Sequence, residues 1–134
     1  MKSTDAELFA QLKRRVDGLI YQSEMDARYR PFAWHIEEPL TPAVVLHKLS
    51  LSPRIPIHGL ALEVFFQNAV KPIVVPGLDG ARQVERSSAL VTWLQEHLQN
   101  LQAFQVGQID TEVVVVGQVS ENWWLGFKIQ VVEA

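Results

Sequence analysis

The sequence contains no cysteine among its 134 residues. This absence excludes a disulfide framework, a thiolate metal site and a cysteine nucleophile. The amino terminus carries acidic residues where a signal peptide would need an apolar core, and no apolar run approaches the ~18 residues of a membrane span. Because a chain without cysteine also suits a reducing compartment, we expect a soluble, cytoplasmic protein with no membrane partner.

A strong charge of one sign is also missing. The formal net charge is −3, which gives no broad electrostatic reason to bind nucleic acid or anionic lipid, whereas a basic partner suits it better. Hydrophobic residues make up 48% of the chain, as in an ordinary globular protein. We therefore expect a single domain over residues 1–134 that buries about two-thirds of its unfolded surface and binds no nucleic acid directly.

Recognisable catalytic and metal-binding motifs are lacking. The histidines show no spacing typical of metal ligands, no GxSxG motif is present, and the GLDG at residues 77–80 lacks the Lys-Ser/Thr of a phosphate-binding loop. We predict no catalytic residue, no bound metal and no cofactor. The enzyme alternative that stays open is an acid/base pair formed by Glu24 with His35 or His58.

Apolar spacing predicts two long and two short helices. The first long stripe comprises Leu8, Phe9, Leu12, Val16, Leu19 and Ile20. The second, of about five turns, comprises Val84, Leu90, Val91, Leu94, Leu98 and Leu101. Thr4 and Glu7 have the spacing of a capping box before the first stripe. In TPAVVLHKL, Thr41 and Pro42 suit the cap and first turn of a short helix, whereas Val44 and Val45 suit a strand; we favour the helix. The other short helix is GLALEVFFQNAV, which follows the irregular segment SPRIPIHG.

Four segments have the character of strands. RPFAWHI alternates Phe32, Trp34 and Ile36 with other residues, and the last third of the chain contains three strands separated near residues 109–110 and 120–122. The valine run at 113–116 has no polar side, which predicts a central strand covered on both faces. Together with the helices, these strands predict an α+β fold: a single three-layer α/β/α sandwich with a mainly antiparallel central sheet.

Glu24, in the stretch DGLIYQSEMD, has three possible roles: general base, solvated loop carboxylate or acid presented to a partner. The sequence nearby supplies neither a proton donor nor a nucleophile for catalysis. A loop carboxylate is usually solvated. A second candidate region is the predicted loop at residues 71–82, whose Pro, Gly and apolar residues indicate a turn at Pro76-Gly77.

Several stretches together resemble the nuclease A inhibitor family. They are DGLIYQSE, FAW, EVFFQNA, LQAFQVGQIDTEVVVVG and KIQVVEA, and they span nearly the whole chain. The resemblance implies a small α/β/α inhibitor that blocks a sugar-nonspecific, magnesium-dependent nuclease acting on DNA and RNA. Glu24 falls on the family's Ser-Glu position, where the acid contacts the nuclease active site, and Ala134 on the terminal position near the catalytic metal.

Two features depart from the family pattern. Ala134 offers its carboxylate but no side-chain hydroxyl, and the segment before the long helix lacks the acidic, tryptophan-containing character found in the family. Within residues 71–86, Lys71, Arg82 and Arg86 outnumber Asp79 and Glu85 by one. Asp79, expected at the loop tip, is the remaining candidate acid there. We therefore predict partner contacts at Glu24, Asp79 and Ala134, with a same-fold interaction module that docks through residues 71–82 as the alternative.

Overall fold

The computed structural model describes residues 1–21, 27–71, 79–108 and 110–132 of the chain. In these residues the backbone forms four α-helices and five β-strands. The helices are α1 (Ser3–Val16), α2 (Pro42–Lys48), α3 (Leu62–Ala69) and α4 (Gly80–His97). The strands are β1 (Tyr29–His35), β2 (Ile57–Leu60), β3 (Gln99–Val106), β4 (Asp110–Ser120) and β5 (Trp123–Val132). No helix within these ranges combines the length and the apolar character that a membrane crossing requires.

The five strands form one antiparallel sheet in the order β1-β5-β4-β3-β2. The predicted separation of the last three strands is confirmed, because β3, β4 and β5 are divided where the sequence indicates. β4 is the middle strand, and its four valines at 113–116 are all buried. A middle strand with packing on both faces has no polar side, so the prediction for this run is also confirmed.

Alternate residues of β4 enter two hydrophobic clusters, which lie on opposite faces of the sheet. Val113 and Val115 pack in a cluster with side chains of α1, α3 and α4. Val114 and Val116 pack in a second cluster, to which α2 contributes its buried side chains. The described residues therefore form an α+β fold around an antiparallel sheet.

The predicted capping box at the start of α1 is wrong. The helix begins at Ser3 with Lys2 in the N-cap position, and no side chain accepts a hydrogen bond there. Thr4 already lies inside the helix, whereas a capping residue needs an extended backbone. Glu7, the other half of the predicted box, is likewise internal to the helix.

α1 also ends earlier than its apolar stripe. Its last residue is Val16, and Gly18 then adopts a positive φ of 76°, a left-handed conformation that glycine tolerates and that a continuing helix cannot contain. Leu19 and Ile20 are nevertheless buried, at 0% and 6% exposure. Their apolar character reflects packing after the helix and not a further helical turn.

The two short helices are confirmed. At the start of α2, the N–H of Val44 donates to Oγ1 of Thr41 over 3.3 Å, and Pro42 occupies the first turn, where its missing N–H costs nothing. α3 buries Phe65 and Ala69 of the predicted apolar face. Thus local capping and spacing were sufficient to locate both elements.

The long helix is confirmed as 18 residues, or about five turns, but its predicted end is wrong. α4 ends at His97, and Leu101 lies in β3. Asn100 has a positive φ of 53°, which interrupts the helical backbone. Leu101 packs against the same core as the helix, so its apolar character could not show which element it belongs to.

The sheet has one strand that the sequence did not predict. β2 forms in the proline-rich segment expected to be irregular, and it pairs with β3 from Ile57↔Val106 to Leu60↔Ala103. It is an edge strand of four residues, a position that tolerates a preceding proline such as Pro56.

β5 carries two adjacent tryptophans that differ in burial. Trp124 is buried in the cluster that contains α2 side chains, whereas Trp123 is only partly buried. Trp123 contacts the ring of His35 at a centroid distance of 5.0 Å. Successive strand residues point to opposite faces, which accounts for the difference.

Candidate partner-binding site

The backbone on both sides of residues 22–26 is joined by direct pairing. The N–H of Tyr21 donates to the carbonyl oxygen of Ala27 over 2.9 Å, and Ile20 forms an antiparallel bridge with Arg28. Glu24 belongs to residues 22–26 and lies outside the described residues. Its prediction as a partner contact therefore stays a prediction, but the positions of its flanks are defined.

Aromatic rings support these flanks. Tyr21 stacks on Phe65 of α3 at a centroid distance of 5.3 Å and meets Tyr29 edge-on at 6.3 Å. Tyr29 in turn contacts Phe127 of β5 at 5.0 Å. Burial raises the pKa of Tyr21, with a hydrogen bond to Asn68 acting in the opposite direction. The flanks thus rest on the main core, and the Tyr21 ring stays neutral at physiological pH.

Gln83 of α4 binds the backbone just before Tyr21. Its Oε1 accepts a hydrogen bond from the N–H of Ile20 over 3.2 Å, and its Nε2 donates to the carbonyl oxygen of Gly18 over 3.1 Å. The side chain is 7% exposed; its bond to Ile20 is buried and its bond to Gly18 is partly buried. Sequence reasoning missed Gln83, although it lies seven residues before Leu90 on the buried side of α4, where a polar residue is itself a signal.

Arg86, one turn further along α4, binds the end of α1. Its Nη2 donates to the carbonyl oxygens of Arg15, over 3.2 Å, and of Asp17. Carbonyls at a helix C-terminus lack intrahelical partners and carry partial negative charge, so a guanidinium group there is stabilising. The positive charge of Arg86, which contributed to the basic balance of residues 71–86, therefore faces α1.

Asp79 has a structural role that the predicted loop did not indicate. The loop was expected to reach residue 82 with Asp79 at its tip, but α4 begins at Gly80, so this boundary is wrong. Asp79 is the exposed N-cap, and its Oδ1 accepts a hydrogen bond from the N–H of Arg82 over 3.2 Å. Aspartate is common at the N-cap of a helix because its carboxylate accepts a hydrogen bond from an otherwise unpaired N–H. The apolar part of the predicted loop, residues 72–78, lies outside the described residues.

The start of α4 lies close to the flank of residues 22–26. The carbonyl oxygen of Asp79 accepts a hydrogen bond from the N–H of Gln83, so the two residues are one helical turn apart, or about 6 Å along the axis. Gln83 in turn binds Ile20. Asp79 is therefore about one turn from the backbone that leads to Tyr21.

The described end of β5 reaches the same part of the molecule. Ile129 pairs with Tyr29, the first residue of β1, and Val131 pairs with Thr111. Ala134 lies outside the described residues, three positions after Val131. Because β1 and β5 are antiparallel, the last described residues of β5 lie beside the start of β1 and hence beside Ala27.

The histidines of the enzyme alternative lie far from these flanks. His35 is six residues along β1 from Tyr29, about 20 Å at the rise of a strand. His58 is on β2, which is separated from β1 by the three other strands, or about 19 Å. Within the described residues, no group of three or more acidic or histidine side chains is arranged to hold a metal ion. These distances weigh against an acid/base pair with Glu24.

The described residues define a small α+β protein in which the flanks of residues 22–26, the start of α4 and the end of β5 lie near one another. A family model described as Nuclease A inhibitor-like protein matches residues 6–134. The chain therefore belongs to the Nuclease A inhibitor-like protein family, and the resemblance found in the sequence is confirmed. No curated protein sequence matches the chain. Membership of an inhibitor family implies a protein partner, with a nuclease as the expected class.

Proposed function

We propose that this chain inhibits a sugar-nonspecific, magnesium-dependent nuclease that cuts DNA and RNA. The carboxylates of Glu24, Asp79 and the terminal Ala134 occlude the nuclease active site, and the chain itself is not an enzyme and needs no cofactor. Family membership supports the inhibitor class. One observation supports the proposed docking surface: the described neighbours of Glu24, Asp79 and Ala134 meet at one end of the molecule.

These neighbours come from three separate parts of the fold. Tyr21 and Ala27 flank Glu24, Gln83 connects the start of α4 to Ile20, and Ile129 pairs with Tyr29. Surface segments whose bases are hydrogen-bonded and packed lose less conformational freedom when a partner binds. A rigid structural support for the three carboxylates suits binding to a nuclease cleft whose shape is already formed.

The layer arrangement belongs to the same proposal. α1, α3 and α4 contribute to the hydrophobic cluster on one sheet face and α2 to the cluster on the other, which supports a three-layer α/β/α sandwich. In this arrangement the sheet is covered on both faces. The ends of the strands and helices then provide the docking surface, and the core stays unchanged when the partner binds.

Charge explains how such a surface would act. A nuclease cleft that binds nucleic acid is basic, so carboxylates placed there pair with the groups that otherwise bind phosphates. Complementary charge accelerates association, and desolvated pairs contribute several kcal/mol in favourable cases. Increasing salt weakens these interactions, because charges are screened over about 8 Å at 0.15 M ionic strength.

The test is a titration of the protein into a magnesium-dependent nonspecific nuclease, with Glu24→Gln and Asp79→Asn in parallel. We expect stoichiometric inhibition by the natural sequence and at least about a tenfold loss of affinity for Glu24→Gln, which corresponds to about 1.4 kcal/mol. Asp79→Asn removes the charge but keeps the helix cap, since asparagine caps as well as aspartate. It therefore separates partner contact from folding.

Glu38→Gln is the matched control, because Glu38 is an exposed acid just beyond the opposite end of β1. It should inhibit like the natural sequence. Full inhibition by both Glu24→Gln and Asp79→Asn would contradict the carboxylate mechanism. Absence of inhibition towards any such nuclease at micromolar protein would instead favour the same-fold interaction module, with residues 71–82 as its docking segment.

A further inference from the structure

A groove between α1 and α4 is lined by three arginines. The lining residues are Gln11, Arg14, Arg15, Arg86 and Ala89, and the groove has a volume of about 450 Å³. We propose that this groove binds the phosphate group of an organic phosphate. The proposal is independent of nuclease inhibition, because it concerns a different surface and requires no nuclease.

The groove presents hydrogen-bond donors. Gln11 uses its Oε1 to accept the indole N–H of Trp93 over 3.0 Å, which leaves the carboxamide NH₂ as its donor. The guanidinium groups of Arg14, Arg15 and Arg86 have donors only. Arg86 binds the carbonyls at the end of α1 through Nη2 alone. Its other guanidinium nitrogens remain available as donors to a ligand. A donor-only lining matches a ligand that carries acceptors.

The three arginines of the groove have no carboxylate partner among the described residues. In the part of the chain that the structure describes, no carboxylate forms an ion pair with Arg14, Arg15 or Arg86, and this includes Asp17 and Glu85 nearby in sequence. Arg14 and Arg15 are both exposed. Three guanidinium groups therefore meet at one groove of a protein whose net charge is −3.

Phosphate satisfies this arrangement better than a single carboxylate does. A phosphate monoester carries up to two negative charges and three terminal oxygens, and each can accept charge-assisted hydrogen bonds from guanidinium groups on different sides. A carboxylate has one charge and two oxygens, so it would leave more of the three positive charges unpaired. The volume falls within the ~300–1,000 Å³ typical of small-ligand sites, which indicates an organic group attached to the phosphate.

The experiment is a titration followed by amide NMR shifts, using inorganic phosphate, a 5′-mononucleotide and a short single-stranded oligonucleotide as probes. Sodium chloride at matched ionic strength controls for general screening. We expect saturable shifts for residues of the groove on both helices, with the mononucleotide binding more tightly than inorganic phosphate. Tighter binding of the oligonucleotide would assign the phosphate to a nucleic-acid backbone, and equal or weaker binding to a free organic phosphate.

The variant is the double substitution Arg14→Gln with Arg15→Gln, since both side chains are exposed and neither makes a side-chain hydrogen bond to another described residue. We expect it to weaken mononucleotide binding by about tenfold or more, the effect of losing a charge-assisted hydrogen bond. Arg54→Gln, an exposed arginine in the segment between α2 and β2, should change binding less than about twofold. Shifts that sodium chloride reproduces, or that the double variant retains, would overturn the proposal.

Discussion

At the scale of single residues, Tyr29 combines two unfavourable features. Its ring is 5% exposed, and its hydroxyl is buried without a hydrogen-bond partner in the part of the chain that the structure describes. Burial, followed by the nearby Tyr21, raises the pKa of this hydroxyl far above its ordinary value. The neighbouring Tyr21 differs because its hydroxyl bonds to Asn68. The two tyrosines therefore form a matched pair for measuring what a hydroxyl contributes.

We expect Tyr29→Phe to raise the free energy of unfolding at pH 7 by about 1 kcal/mol, since it removes an unpaired buried polar group and keeps the ring against Phe127. Tyr21→Phe should lower the free energy of unfolding by a similar amount, because it removes a bonded hydroxyl and leaves Asn68 without that partner. Urea denaturation of the three proteins measures both changes. Equal effects of the two substitutions would contradict this account.

Alkaline pH tests the same pair through linkage. In the unfolded chain both tyrosines ionise near pH ~10, whereas the raised pKa values keep them protonated in the folded protein. The folded state then binds more protons, so the stability contributed by each tyrosine is complete below pH ~10 and is lost above it, by at most about 1.4 kcal/mol per pH unit for each group. Tyr29→Phe should reduce this slope. An unchanged slope would show that Tyr29 ionises normally in the fold.

At the scale of elements, α4 does more than cover the sheet. Gln83 and Arg86 bind backbone groups at the end of α1 and in the segment between α1 and Tyr21. These are contacts between side chains of one element and the backbone of another, 63 to 71 residues apart in sequence. The contacts with α4 therefore fix the position of this segment, which leads into residues 22–26.

We expect Gln83→Met to lower the free energy of unfolding by about 2 kcal/mol, because it leaves the N–H of Ile20 and the carbonyl of Gly18 unpaired. Hydrogen exchange of the Ile20 amide should accelerate by at least about tenfold, since the acceptor that it has among the described residues is lost. Gln95→Met, at an exposed position of the same helix, should stay within about 0.5 kcal/mol of the natural sequence. Unchanged protection of Ile20 would contradict the positioning role.

The sheet tolerates a side chain at one glycine and excludes it at another. A Cβ at Gly126 of β5 would overlap the carbonyl oxygen of Val115, a backbone atom of the central strand. A Cβ at Gly59 of β2 would meet no atom of the described residues within 4 Å. Close approach of β5 to β4 therefore requires glycine at residue 126, whereas residue 59 has no such requirement.

We expect Gly126→Ala to lower the free energy of unfolding by about 3 kcal/mol or more, because the strands must separate to admit the methyl group. Gly59→Ala should leave it unchanged or raise it by up to about 1 kcal/mol through reduced freedom of the unfolded chain. Thermal unfolding of both variants measures the contrast. Equal melting temperatures would show that β4 and β5 are not packed this closely.

At the scale of the whole molecule, charge is distributed unevenly. Arg14, Arg15 and Arg86 meet in the groove between α1 and α4. The acidic positions proposed to contact a nuclease lie beyond the end of α1 and at the start of α4. A basic groove next to an acidic docking end would oppose the approach of a basic cleft, because fields add over distances of about a Debye length.

If the proposed function is correct, Arg14→Gln with Arg15→Gln should accelerate association with the nuclease. The net charge changes from −3 to about −5, and we expect a few-fold higher association rate constant at low salt with an unchanged dissociation rate. The difference should vanish near 1 M salt, where screening extends only about 3 Å. Stopped-flow association kinetics measure this, and slower association at low salt would contradict the predicted docking geometry.

Much of the fold follows from local sequence patterns. Helical spacing located α4, a threonine before a proline located α2, and the unbroken valines of β4 indicated the central strand. The errors have a common cause: Leu19, Ile20 and Leu101 are buried by contacts outside the helices to which their spacing assigned them. Periodicity reports which residues are apolar, but the position at which an element ends depends on backbone geometry such as the positive φ of Gly18.

The sequence by itself determined the family, the α+β class and the residue types available for binding a basic partner. The tertiary structure alone decided which of them are neighbours. Gln83 reaches Ile20, Asp79 caps α4, and three arginines from two helices share a groove because of contacts between segments far apart in the chain. Such contacts depend on helix packing and strand register, which no local pattern of residues encodes.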